Sequence, residues 1–137
     1  MNKLHHLRDT LLNANLGLSP ENCTVFVKKG AVQHHYNREG DRGNHKFKKT
    51  FDAQVFVMGY TGDENAVLYV LGKWLTQNQP NHKPDAISYE LDILNHDEAD
   101  LLITIKDVTE TITPVENEKG VYIDACPPSH VDSILKP

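Results

Sequence analysis

Residues 51–80 switch from a two-residue to a helical hydrophobic period across one short break, and that switch limits the fold more than any other feature of the chain. Phe51, Ala53, Val55 and Val57 alternate with Asp52, Gln54 and Phe56. This is the pattern of a strand with one face buried, expected at the centre of a sheet. Gly59-Tyr60-Thr61-Gly62 interrupts it, and Thr61 with Glu64 three residues later has the capping-box pattern of a helix start. Val67, Val70, Leu71 and Trp74 then share one stripe with Leu68 and Leu75 beside it. Such a helix buries a wide face against the sheet until Pro80 stops it.

The flanking sequence predicts the rest. Leu4, Leu7, Leu11 and Leu12 recur at helical spacing, so a helix is expected over about 3–14, ended by Gly17 and Pro20. Residues 23–28 read as a strand that Lys29-Gly30 turns into a second strand over 32–36, followed by a loop over 37–44 with no apolar residue. Ile87, Tyr89, Leu91 and Ile93 alternate in one further strand and Leu101, Ile103 and Ile105 in another, joined by the polar loop 95–100. A last pair is expected at 111–115 and 121–123, with Pro114 placing it at an edge. At 137 residues this describes a single α+β domain over 1–126, with a largely antiparallel or mixed sheet against two main helices. Residues 127–137, with three prolines, are expected to form an extended tail.

Several chemistries are sought and not found. No apolar run reaches the roughly 18 residues of a membrane helix, and the first residues lack the apolar core of a secretory signal, so the chain is read as intracellular. Without export, the sequon Asn22-Cys23-Thr24 carries little meaning, and Cys23 and Cys126 are too far apart for a redox or zinc motif. His5-His6 and His34-His35 are adjacent pairs whose side chains diverge, so no metal site is expected. Gly59–Gly62 lies where a phosphate loop would lie, but it lacks lysine and is followed by Asp63 and Glu64, which would repel an anion. The 97–100 cluster lacks the ligand order of a calcium loop. No nucleophile elbow or Cys-His pairing is present, and Thr104 stands where a nuclease would need an acid two residues before Lys106. The chain is therefore read as a non-enzyme with no catalytic residues and no cofactor.

The net charge of -5 conceals its distribution. Lys28, Lys29, Arg38, Arg42, Lys46, Lys48 and Lys49 crowd one short region, whereas residues 85–124 hold eleven acidic side chains against Lys106 and Lys119. Opposite charge in two parts of one chain suits head-to-tail contact between copies. The seven basic residues, with Asp97, Glu98 and Asp100, are thus the candidate interface. Two rivals have distinct chemistry. A nucleic-acid module could grip phosphates with 28–49, but alternation puts Phe47 and Phe51 on the core face and the acidic remainder would repel a duplex. A monomeric adaptor would differ from a ring in solution mass.

Phe51-Asp52-Ala53-Gln54-Val55-Phe56-Val57, Tyr60-Thr61-Gly62-Asp63 and residues 71–80 (LGKWLTQNQP) resemble the tail completion protein R (GpR) family of contractile-tailed, peduovirus-type bacteriophages. The likeness continues through residues 89–95 (YELDILN), 99–105 (ADLLITI), Val108-Thr109-Glu110 and the closing hairpin. It is looser over the N-terminal helix and 25–30, and the chain departs from the family pattern at 33–49 and in its short tail. The resemblance implies a tail-terminator-like virion protein, assembled in the host cytoplasm, that completes the head-proximal end of the tail tube and sheath and readies it for the head. By analogy with tail terminators it implies a homohexameric ring. Its partners would be itself, the tube and sheath proteins and the head-tail connector, with DNA passing through but no specific nucleic acid and no membrane bound.

Overall fold

The computed structural model describes residues 2–34 and 46–124, in the order α1 (Asn2–Leu12), β1 (Cys23–His34), β2 (Phe47–Tyr60), α2 (Glu64–Asn78), β3 (Ile87–Ile93), β4 (Ala99–Asn117) and β5 (Gly120–Asp124). The strands run β1-β2-β4-β3 across the sheet, with β5 paired to the far end of β4, and every pairing is antiparallel. The expected α+β architecture is present, without the mixed pairing that had been left open. No described helix is long and apolar enough to cross a membrane.

β2 is the internal strand its alternation predicts: Phe51, Ala53, Val55 and Val57 are buried and the residues between them are not. Cross-strand neighbours Ile105, Ile103 and Leu101 continue the same face onto β4. Two helices cover that face. Val67, Leu71, Trp74 and Leu75 enter the core from α2, and Leu4, Leu7 and Leu11 from α1. Trp74 Nε1 donates to His6 Nδ1 at 3.0 Å, joining the helices through the one polar atom the buried indole must satisfy. Tyr60 Oη donates to Leu16 O at 2.7 Å and ties the end of β2 to the chain leaving α1.

Three local expectations are corrected. The helix begins at Glu64 with Asp63 as its cap, the carboxylate accepting from Asn65 N at 2.9 Å, so Thr61 is not the cap. The short anionic side chain satisfies an unpaired amide and also faces the positive end of the helix, which a threonine two residues earlier cannot reach. Residues 23–34 form one strand, not a hairpin. Lys28 is an extra residue between Val27 opposite Ala53 and Lys29 opposite Asp52, so pairing resumes after the bulge and the chain does not turn. Gly30 then lies so close to Phe51 that a Cβ would sit 3.1 Å from Phe51 Cβ; it serves close packing, not a turn. Residues 101–115 likewise belong to one 19-residue strand. Its pairing shifts between Ile105 and Val108, where Asp107 adopts φ 56°, so a bulge and not a strand end separates the two stretches. The 37–44 loop, the end of the strand expected at 32–36, Cys126 and the 127–137 tail lie outside the described residues. The Pro114 reading agrees with the structure, since Pro114 pairs with Ile123 of β5, whose sole strand partner among the described residues is β4.

Leu71 is fully buried beneath the sheet, so Leu71→Ala should lower unfolding free energy by about 2–5 kcal/mol in a urea titration. Cys23 is buried, and burial raises its thiol pKa more than nearby Arg8 lowers it. The unfolded thiol therefore ionises first as pH rises, and its contribution to stability is lost above pH 9.0. In a Cys126→Ser chain, Cys23 should react with an aromatic disulfide reagent only as fast as the protein opens. Immediate stoichiometric reaction of the native chain would contradict that burial.

Candidate functional site

The acidic residues 97–100 are held at the β3–β4 turn by Asn95. Its Oδ1 accepts from Asp97 N at 2.8 Å and Glu98 N at 3.0 Å, while Leu94 N donates to Glu98 O at 2.9 Å. This side-chain turn leaves Asp97 and Glu98 exposed at the tip. Asp100 plays a different part. Its carboxylate accepts from Gly59 N at 2.9 Å, where β2 leaves the ladder, so it is half-buried and structural.

The basic residues lie toward the other end of the sheet. Lys28 and Lys29 stand exposed at the β1 bulge, Lys46 precedes β2, and Lys48 pairs across the sheet with Gln33 and Thr111. Lys49 folds back, its ammonium 5.7 Å from the centroid of the Phe51 ring. Arg38 and Arg42 lie outside the described residues. Asp100 is about ten positions along β4 from Glu110, the partner of Lys49, so the two charged ends are roughly 30 Å apart at the usual strand rise. The structure gathers each group but does not bring the groups together within one copy. Phe51 is buried and Phe47 is half-buried beside the His34 ring, so neither offers the open aromatic platform that base stacking requires.

A polar cluster that sequence reasoning misses lies where α2 ends. Lys3 Nζ donates to Thr109 O at 2.7 Å, Asn78 O at 3.1 Å and Gln79 Oε1. Gln79 Oε1 also accepts from Thr109 N at 3.3 Å, and Gln79 Nε2 donates to Thr109 Oγ1 at 3.1 Å. Two side chains thereby do at Thr109 what a neighbouring strand would do. The ammonium caps the negative end of α2, where carbonyls lack helical partners. Burial lowers the Lys3 pKa, and Glu110 opposes that shift. Glu110 is buried; Oε2 accepts from Lys3 N at 3.3 Å, while Oε1 has no hydrogen-bond partner among the described residues. Beside the cluster opens a cleft of about 320 Å³ on which Lys3, Lys48, Lys83 and Lys106 converge with Asp85 and Asp107. Lys106 thus extends the basic end from within the acidic stretch, and Lys83 from just before it. Only the Gln79-Pro80 stop after an apolar helix could have hinted at a buried cap.

No grouping of three or more metal-ligating side chains occurs among the described residues. The model of the family described as P2 phage tail completion protein R (GpR) matches residues 1–129. The chain belongs to that family. It is a phage tail completion protein, a structural component of the virion tail, from a family not known for catalysis. Comparison with curated proteins and with solved structures gives no match. Within this GpR-family chain the matched span takes in every described element, so the charged ends and the Lys3 cluster all fall inside the family's extent.

Replacing Lys3 by Met would remove a donor from three acceptors, of which Gln79 Oε1 still accepts from Thr109 N. Lys3→Met should therefore cost about 1–3 kcal/mol in urea unfolding near neutral pH. Because the folded pKa is the lower one, folding releases the Lys3 proton more readily as pH rises, so wild type should gain on the variant approaching pH 10.5.

Proposed function

We propose that the chain closes the head-proximal end of a contractile tail, resting on tube and sheath as a ring of copies, and presents the surface that the head-tail connector meets. The membership in the tail completion family supplies the tail role, and the placement of charge supports the ring. A ring needs two different faces on each copy that fit one another. One end of this sheet carries Lys46 and Lys48, with Lys28 and Lys29 at the β1 bulge midway along it, and the other carries Asp97 and Glu98 on a turn held firmly by Asn95. With the ends roughly 30 Å apart, attraction within a copy is screened at physiological salt. Attraction between copies remains available. A homohexamer, assembled in the host cytoplasm and passed by DNA without sequence-specific contact, is the form of ring this reading adopts by analogy with tail terminators.

The test is charge reversal at the described basic end. A Lys46→Glu, Lys48→Glu and Lys49→Glu chain should retain its far-ultraviolet spectrum yet lose ring mass in light scattering and ring images in electron microscopy. Rings formed undiminished at physiological salt would exclude this charge pattern as their cause.

A further inference from the structure

Among the described residues the sheet ends in two unpaired edges, and their backbone phase, charge and apolar content match one another. At β3, Lys106 N donates to Ala86 O at 2.9 Å and Leu94 N to Glu98 O at 2.9 Å. With the register of Ile87 opposite Ile105, these bonds fix the ladder phase: Ser88, Glu90 and Asp92 face β4, and Ile87, Tyr89, Leu91 and Ile93 direct their N–H and C=O outward. The side chains of this outward set lie on the helix-covered face with Ile105, Ile103 and Leu101. Yet they extend past the cover of α2, with Tyr89 50%, Leu91 37% and Ile93 70% exposed. At β1, Met58 N donates to Asn22 O at 2.9 Å, so Thr24 and Phe26 face β2 while Val25 and Val27 direct their backbone groups outward. Val25 and Val27 also belong to the helix-covered face and are half-buried.

We propose that β3 of one copy pairs antiparallel with β1 of the next, making the sheet continuous around the assembly. This proposal rests on the ring reading but takes the strand edges, not the charged ends, as the interface: the acidic turn of one copy lies beside Arg8 of the next and away from Lys46 and Lys48. The path β1-β2-β4-β3 has four strands of alternating direction, so β3 and the β1 of a copy added in the same orientation run oppositely. The outward residues on both edges have side chains on the helix side, so the helices of both copies remain on one face. Setting Ile93 against Val25 and Leu91 against Val27 joins apolar side chains on that face. On the other face the same register sets Asp92 opposite Phe26 and Glu90 beside Lys28. It also carries Arg8, whose Nε donates to Cys23 O at 3.4 Å, toward the Asn95–Glu98 turn of the neighbour. Pairing β3 with a second β3 would instead bring Glu90 and Asp92 onto their own copies, a like-charge arrangement that disfavours the symmetric dimer. Long open strand edges are also a liability that such closure removes.

The proposal is tested with full-length chains carrying Cys126→Ser, alone and added to tail tubes lacking this protein. Asp92 and Phe26 would form a non-hydrogen-bonded pair, in which Cα atoms lie about 4.5 Å apart, within disulfide range. Asp92→Cys and Phe26→Cys chains, mixed and oxidised, should give a cross-linked dimer that neither gives alone. Leu91→Pro removes an N–H that the ladder to β4 does not use, so the chain should fold with wild-type circular dichroism but remain at monomer mass. Cross-linking of the Asp92→Cys chain with itself would overturn the proposal in favour of the symmetric dimer. Wild-type rings without the mixed disulfide, and undiminished by Leu91→Pro, would overturn the edge pairing while leaving the ring reading intact. A wild-type chain that forms no ordered multimer in either setting would overturn the ring reading, and the edge pairing with it.

Discussion

The rest of the structure depends on the regular pleat of β2. From Phe47 to Val57 it carries no extra residue, pairs on both sides and buries alternate side chains under both helices. Its neighbours make the adjustments: β1 inserts Lys28 and β4 inserts a residue between Ile105 and Val108, and both insertions lie at the level of Asp52. Asp52 Oδ1 accepts from Asp107 N at 3.1 Å and so fastens one of them. A charged residue in the middle of an apolar strand thus has a defined structural use. Below that level the sheet is clad by helices; above it Lys28 to His34 are all exposed.

Positioning of the helices relies on a small set of polar contacts placed at chain ends. Trp74 with His6, Tyr60 with Leu16 and Lys3 with the end of α2 each join an element to one distant in sequence. Apolar burial drives α1 and α2 onto the sheet but is not directional. These hydrogen bonds select the docked geometry, because a buried donor or acceptor left unpaired costs more than a made bond contributes. The Lys3 cluster joins α1, α2 and β4 at once, which makes the N-terminal residues part of the fold.

Much of this was legible from residue pattern. The period of two at Phe51–Val57 and the stripe from Val67 to Leu75 identified the central strand and its covering helix because each reflects a single buried face. The misreadings have a common physical origin. A bulge spoils the two-residue alternation over a few positions, so Lys29-Gly30 reads as a turn and 101–105 and 111–115 as separate strands although pairing continues past each bulge. At the candidate site, sequence located the acidic turn and the basic stretch but could not separate Asp100, bonded to Gly59, from its exposed neighbours. Nor could it bring Lys3, Lys83 and Lys106 to one cleft, since that juxtaposition exists only after α2 has docked at the end of β4. The openness of the β3 edge was hidden by an alternation identical to that of a covered strand; only the reach of the two helices decides it.

The paired insertions at Asp52 give the sheet a crease. Bulges increase local twist, and two of them at one level turn the upper part of the sheet, where β1 is exposed, against the lower half. The upper part holds Lys46 and Lys48, whereas β3 and the acidic turn belong to the lower half. The crease therefore sets the basic end at an angle of its own, which the helix-packed core does not dictate.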